Sequence, residues 1–161
     1  MIKQLIETWA PHLHAPKELS PQCILWALYH CEKYNSRNRV PRFEKAYAPG
    51  GHYYNASEEV VCEYVKWGDS AACSYSNFQI LYITAHELGY DGPPLALDRD
   101  SVALPYVTLL LNIRILKKGA KTPEEIADAY NSGSFRDSNK PEAYMAKFRR
   151  RYDQCLKVMI S

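Results

Sequence analysis

The sequence predicts a mainly α-helical fold with room for one short β-hairpin. Apolar residues recur at helical rather than alternating spacing along most of the chain. Start and stop signals bracket these runs, with serine, threonine or proline before them and glycine after. And "CILWALYHCE", residues 23–32, is apolar on nearly every side, the mark of a helix in the middle of a domain. With 161 residues, 47% of them hydrophobic, the chain suffices for one domain, 1–161, with a substantial core.

The elements follow in order. Residues 2–9 form a short helix closed by Pro11. Ser20-Pro21 supplies an N-cap and a proline at the first helical position, so the central helix starts there and ends near Asn35-Ser36. Residues 37–56 carry two prolines and a glycine pair and read as a long irregular segment. Within it, "GGHYYNA" is the place for a hairpin. Ser57 caps a helix to Trp67, stopped by Gly68. "SYSNFQILYITAHELGY" becomes helical around Phe78 and stops at Gly89. "DGPPLALDRDS" is loop. "PYVTLLLNIRILKKG" is a helix with proline first, lysines in its last turn and glycine after. "TPEE", from Thr122 to Glu125, has the capping-box form and opens a helix to Asn131. A last helix spans about Pro141 to Leu156, with Tyr144, Phe148, Tyr152 and Cys155 on one face. No internal repeat or linker is present.

A net charge of +2 does not by itself imply a nucleic-acid or membrane partner. No apolar run is long enough to cross a bilayer. The start lacks a signal-peptide core, because Glu7, Pro11 and two histidines interrupt it. Synthesis in the cytosol is therefore expected, and with it free thiols for the five cysteines. Cys23 and Cys31 lie eight residues apart on one helix, about 12 Å, too far to bridge. Cys62 and Cys73 could meet across a loop. Without a CxxC pair no zinc knuckle is expected.

Glu32 is the candidate acid. A carboxylate at a helix C-terminus faces the negative end of the dipole, and the apolar turns before it bury its surroundings. Both effects disfavour its charged form. An acid kept protonated near neutral pH is what protonating a glycosidic oxygen requires. Glu44, in "VPRFEKAY", reads first as ion-paired or exposed. As a second catalytic carboxylate it would have to stand about 6.5–9.5 Å from Glu32, the spacing of inverting hydrolases. "HELGY" at His86-Glu87 lacks the second histidine of HExxH, and His12 and His14 lie in a proline-rich segment, so no metal site is expected. "FRRRYD" at 148–153 reads as the solvated side of the last helix.

Three pieces in this order resemble a known family: the apolar helix ending in Glu32, "SYSNFQILYITAHELGY" at 74–90, and "IADAYNSGS" at 126–134 followed by a proline, a tyrosine and a basic helix. Together they resemble the soluble lytic transglycosylase domain, a relative of goose-type lysozyme, and especially its phage versions. The likeness covers roughly residues 20–155, with 1–19 as an N-terminal extension. It implies a lysozyme-like helical domain whose cleft binds peptidoglycan glycan strands, with Glu32 as the sole catalytic acid and base. It also implies that Ser74, Phe78, Gln79, Tyr130 and Asn131 bind the sugar, Phe78 lining the groove. Two positions depart from the family pattern: Lys33 stands where serine usually follows the glutamate, and Ser76 stands at a glycine position. Glycine there would permit a tight turn.

The resemblance implies cleavage of the β-1,4 bond between N-acetylmuramic acid and N-acetylglucosamine, leaving a 1,6-anhydro end, by a monomer needing no cofactor or metal. A muramidase that admits water, or a peptidoglycan-binding module without turnover, are the alternatives. A nucleic-acid binder using "FRRRY" comes last. No stable membrane insertion is expected. The activity would be endolysin-like, released to the cell wall or carried in a phage particle.

Overall fold

A computed structural model describes residues 1–33 and 41–160. Among them are eight α-helices and one small three-stranded antiparallel sheet. The mainly α fold class is therefore present, with a short β element. By its contacts the chain divides into two units: Met1–Lys33 with Thr108–Ser161, and Tyr34–Val107.

The first unit is built on α1 (Ile2–Trp9), α2 (Pro21–Glu32), α7 (Pro123–Ser132) and α8 (Glu142–Ile160). Helix α2 starts as its sequence dictates: Ser20 Oγ accepts from Cys23 N at 3.3 Å, with Pro21 in the first helical turn. Its Cys23, Ile24, Leu25, Ala27 and Leu28 are fully buried. The expected end near Asn35-Ser36 lies outside the described residues. The helix stops before it, at Glu32, because Lys33 turns to an extended backbone (φ −48°, ψ 138°). Helix α7 carries the expected capping box. Thr122 Oγ1 accepts from Glu125 N at 3.2 Å, and Glu125 Oε2 accepts from Thr122 N at 3.1 Å. Gly133 closes the helix in the left-handed conformation (φ 88°), which glycine adopts without steric cost.

Helix α8 packs on both α2 and α7. Phe148, Tyr152 and Cys155 are buried along its inner face and Tyr144 is half-buried. Phe148 is 0% exposed; truncating a phenylalanine so placed to alanine typically costs about 3–5 kcal/mol. Arg149 and Arg150 face out, and Arg149 bonds Glu124 and Asp153. Cys23 of α2 and Cys155 of α8 form a disulfide, with Cα atoms 5.4 Å apart. This corrects the expectation of five thiols. Pairing 132 residues apart in sequence leaves no local spacing to read.

The second unit holds α3 (His52–Ala56), α4 (Glu58–Trp67), α5 (Tyr82–Glu87) and the strands β1 (Arg42–Phe43), β2 (Cys73–Tyr75) and β3 (Ile80–Leu81), in the order β1-β2-β3. Arg42 pairs with Ser74, and Tyr75 with Ile80. Three expectations fail here. "GGHYYNA" is a helical turn, not a hairpin. The hairpin is β2–β3, and helix α5 begins at Tyr82 rather than near Phe78. Residues 41–56 are less irregular than expected, with β1, a 3-10 turn at Lys45–Tyr47 and α3. Cys73, Ser74 and Tyr75 are all buried, so the strand shows no alternation.

Helix α6 (Asp100–Leu110) contains the division between the units and continues as a π-helical stretch, Leu111–Leu116. Pro105, expected at its first position, lies inside it. The helix starts five residues earlier, where Asp100 is also bound to Asn77.

Candidate functional site

In the first unit, the last residue of α2 is Glu32, half-exposed. Lys147, on α8, donates from Nζ to the Cys31 carbonyl at 2.9 Å. A cation on the terminal carbonyls offsets the negative end of the α2 dipole next to the carboxylate. Two tyrosines feel the Glu32 charge. Tyr130, on α7, has its phenol raised well above the usual range, first by burial and then by Glu32. Tyr144, on α8, is raised by burial and then by Glu32. Tyr144 Oη is buried, and the carboxylate acts on it both through its field and as a side-chain hydrogen-bond partner. The fold thus gathers one carboxylate, two protonated phenols and one ammonium where α2, α7 and α8 meet.

Glu32 was marked by the helix it ends and Tyr130 by the resemblance alone, and these two come together. Asn131 follows Tyr130 on α7 with its side chain exposed, and Lys33 is exposed beyond Glu32. Tyr144 and Lys147 were missed as site residues. Tyr144 had a visible signal, its four-residue spacing from Phe148, but that spacing says only that it faces the interior. Cys31, beside Glu32, has its thiol pushed up to about 11, chiefly by burial. That leaves it a poor nucleophile.

The remaining predicted residues lie in the second unit. Phe78 is 0% exposed, which corrects its expected place lining a groove, since no face is left for a sugar. Ser74 is 3% exposed, and its hydroxyl donates to Glu44 Oε1 at 3.1 Å, so it is a structural bond of the sheet rather than a surface contact. Glu44 Oε1 also accepts from Arg42 Nε at 2.5 Å, the ion-paired reading of that residue. The β2–β3 turn has two residues of positive φ, Ser76 (64°) and Gln79 (51°). Ser76 Oγ accepts from Phe78 N at 3.1 Å, and Gln79 Nε2 donates to Ser76 O at 2.8 Å. Gln79 is half-buried, so of the three it alone keeps accessible surface.

His86 belongs to a local polar cluster. Its Nδ1 bonds Tyr90 O at 2.9 Å, and its Nε2 stands 3.5 Å from Glu59 and 3.6 Å from Glu63. Tyr82 donates to Glu63 at 2.6 Å. Among the described residues no group of three His, Cys, Asp or Glu side chains is arranged to hold a metal ion. No helix among them is long and apolar enough to cross a membrane.

No family model, curated protein or solved structure matches the chain.

Proposed function

We propose that the chain cleaves peptidoglycan glycan strands as a lytic transglycosylase, with Glu32 as its single acid and base. The observation that carries this is the meeting of Glu32 and Tyr130 in one unit, where the carboxylate acts on the phenol. One residue was marked by the end of a buried helix and the other by the "AYNSG" segment. Tyr144 and Lys147 complete the surroundings of the acid.

The chemistry needs no second carboxylate. Glu32 gives its proton to the oxygen of the β-1,4 bond as the bond from C1 of N-acetylmuramic acid breaks. The sugar's own N-acetyl oxygen supports the positive centre, an assistance known among glycosidases. The ionised Glu32 then takes the proton of the muramyl C6 hydroxyl as that oxygen closes on C1. The acid is regenerated, no water is consumed, and the new end is 1,6-anhydromuramic acid. Positioned acid–base catalysis of this kind contributes about 10²–10⁴-fold in rate. The phenols of Tyr130 and Tyr144 remain neutral through the cycle and hold the carboxylate's orientation, while Asn131 is free at the surface to meet the sugar.

The test is digestion of purified, defined peptidoglycan followed by mass spectrometry of the soluble fragments. Anhydro ends support the proposal. Reducing ends would instead make the chain a muramidase, which must recruit a base for water; Glu44 is already engaged by Arg42 and Ser74. Binding of the polymer without soluble product would leave a recognition module.

A further inference from the structure

We propose that the first unit is completed by oxidation: the Cys23–Cys155 disulfide fastens α8 to α2 and thereby sets the side chains around Glu32 once the chain meets an oxidising compartment. The consequence for catalysis rests on the reading of Glu32 above; the consequence for the fold does not.

The placement of the two cysteines carries the argument. Cys23 lies in the first turn of α2, and Cys155 lies in the second half of α8. Eight residues on from Cys23 is Cys31, whose carbonyl takes the bond from Lys147, eight residues before Cys155. The antiparallel pair is therefore pinned at two matched levels, one covalent and one polar. At the N-cap of α2, just before Cys23, Tyr152 Oη accepts from Ser20 N at 2.8 Å. Glu32 directly follows Cys31, and Tyr144 lies one turn before Lys147. Any slip of α8 along α2 displaces the phenol and the ammonium from the carboxylate together.

The surroundings suit a permanent bond made after folding has begun. Cys23 is 0% and Cys155 9% exposed, and Met159 Sδ lies 3.4 Å from Cys23 Sγ and 3.9 Å from Cys155 Sγ. Reduced, the two thiols are small apolar side chains in an apolar pocket, so the helices can still pack. What reduction removes is the covalent register. Of the other cysteines, Cys73 is buried, Cys31 is half-buried and Cys62 is exposed. Cys31 cannot replace Cys155, because it is too far along the same helix from Cys23.

The step balances with a disulfide oxidant, either glutathione disulfide or a protein disulfide. Cys23 and Cys155 lose two electrons and two protons as their S–S bond forms. The oxidant's S–S bond breaks and it leaves as two thiols. Closing a loop this long removes more freedom from the unfolded chain than a short loop does.

The experiment uses the full chain, reduced in denaturant and refolded either with a thiol reductant or with glutathione disulfide. Thiols are counted in denaturant, and thermal melting and amide exchange in α8 are measured on the folded forms. The expected result is three thiols after oxidation against five after reduction. The oxidised form should melt about 5–15 °C higher, with slower exchange around Tyr144 to Phe148. A Cys23→Ser/Cys155→Ser variant should match the reduced protein under both conditions; if it does not fold, the reduced wild type carries the comparison. Five thiols after oxidation, or equal melting and exchange in both states, would overturn the proposal. Oxidised protein that is stabilised yet cleaves no peptidoglycan supports the fastener and contradicts the reading of Glu32.

Discussion

Ser76 occupies a backbone conformation that suits glycine. Its φ of 64° costs an L-residue about 1–2 kcal/mol. Four bonds hold it there: its N–H reaches Asp98 at 3.4 Å, its Oγ accepts from Phe78 N at 3.1 Å, and its carbonyl accepts from the Gln79 side chain at 2.8 Å and from Gln79 N at 3.2 Å. Serine is thereby held in a turn conformation that glycine adopts without the steric cost. Ser76→Gly removes the steric cost and the Oγ bond together, so stability in urea unfolding should change by less than about 1 kcal/mol. Ser76→Val keeps the cost, loses the bond and adds a branch, and should lose about 2 kcal/mol or more. A neutral valine variant would contradict this account of the turn. The sequence could mark position 76 as unusual only by likeness. Its dihedral depends on Asp98, more than twenty residues away, and no local pattern encodes that. Phe78 misled for a related reason: an aromatic reads the same whether it lines a groove or fills a core.

At the scale of elements, the legible parts were those that their own few residues determine. Ser20, Ser57 and Thr122 cap helices where expected because a hydroxyl three residues ahead of an orphan N–H needs no distant partner. Thr122→Ala should cost about 1 kcal/mol in unfolding free energy, since it removes one half of a closed capping box. Thr122→Ser should restore nearly all of it; equal losses in the two variants would sink the capping explanation. The strands were illegible because two or three buried residues cannot show a period of two. Helix α6 misled at its start because Pro105 looks like a first-turn proline, while the real start at Asp100 is set by its bonds to Asn77. The end of α2 shows both sides. Burial of the helix could be read from its composition, but its stop at Glu32 follows from the backbone of Lys33 and the Lys147 bond.

For the molecule as a whole, the features that escaped the sequence join distant segments: the Cys23–Cys155 disulfide and the place of Tyr144 beside Glu32 and Tyr130. The tyrosines carry a consequence for stability against pH. Tyr130 and Tyr144 in the first unit, and Tyr82 in the second, have phenols raised above the usual value, in each case first by burial. Unfolded tyrosines lose their proton near pH 10, while these remain protonated in the fold. The stability they contribute is therefore fully present below about pH 10 and falls as pH rises beyond it. Thermal melting between pH 8 and pH 11 should show that decline, and Tyr144→Phe should make it shallower; identical slopes would contradict the assignment. The account turns, however, on what the cluster around Glu32 does. The most direct test compares wild type with Glu32→Gln, matched for circular dichroism and oxidation state, on purified peptidoglycan. The account predicts anhydro-ended fragments from the wild type and a loss of about a thousand-fold or more in the variant. Equal release of fragments by both proteins would contradict it.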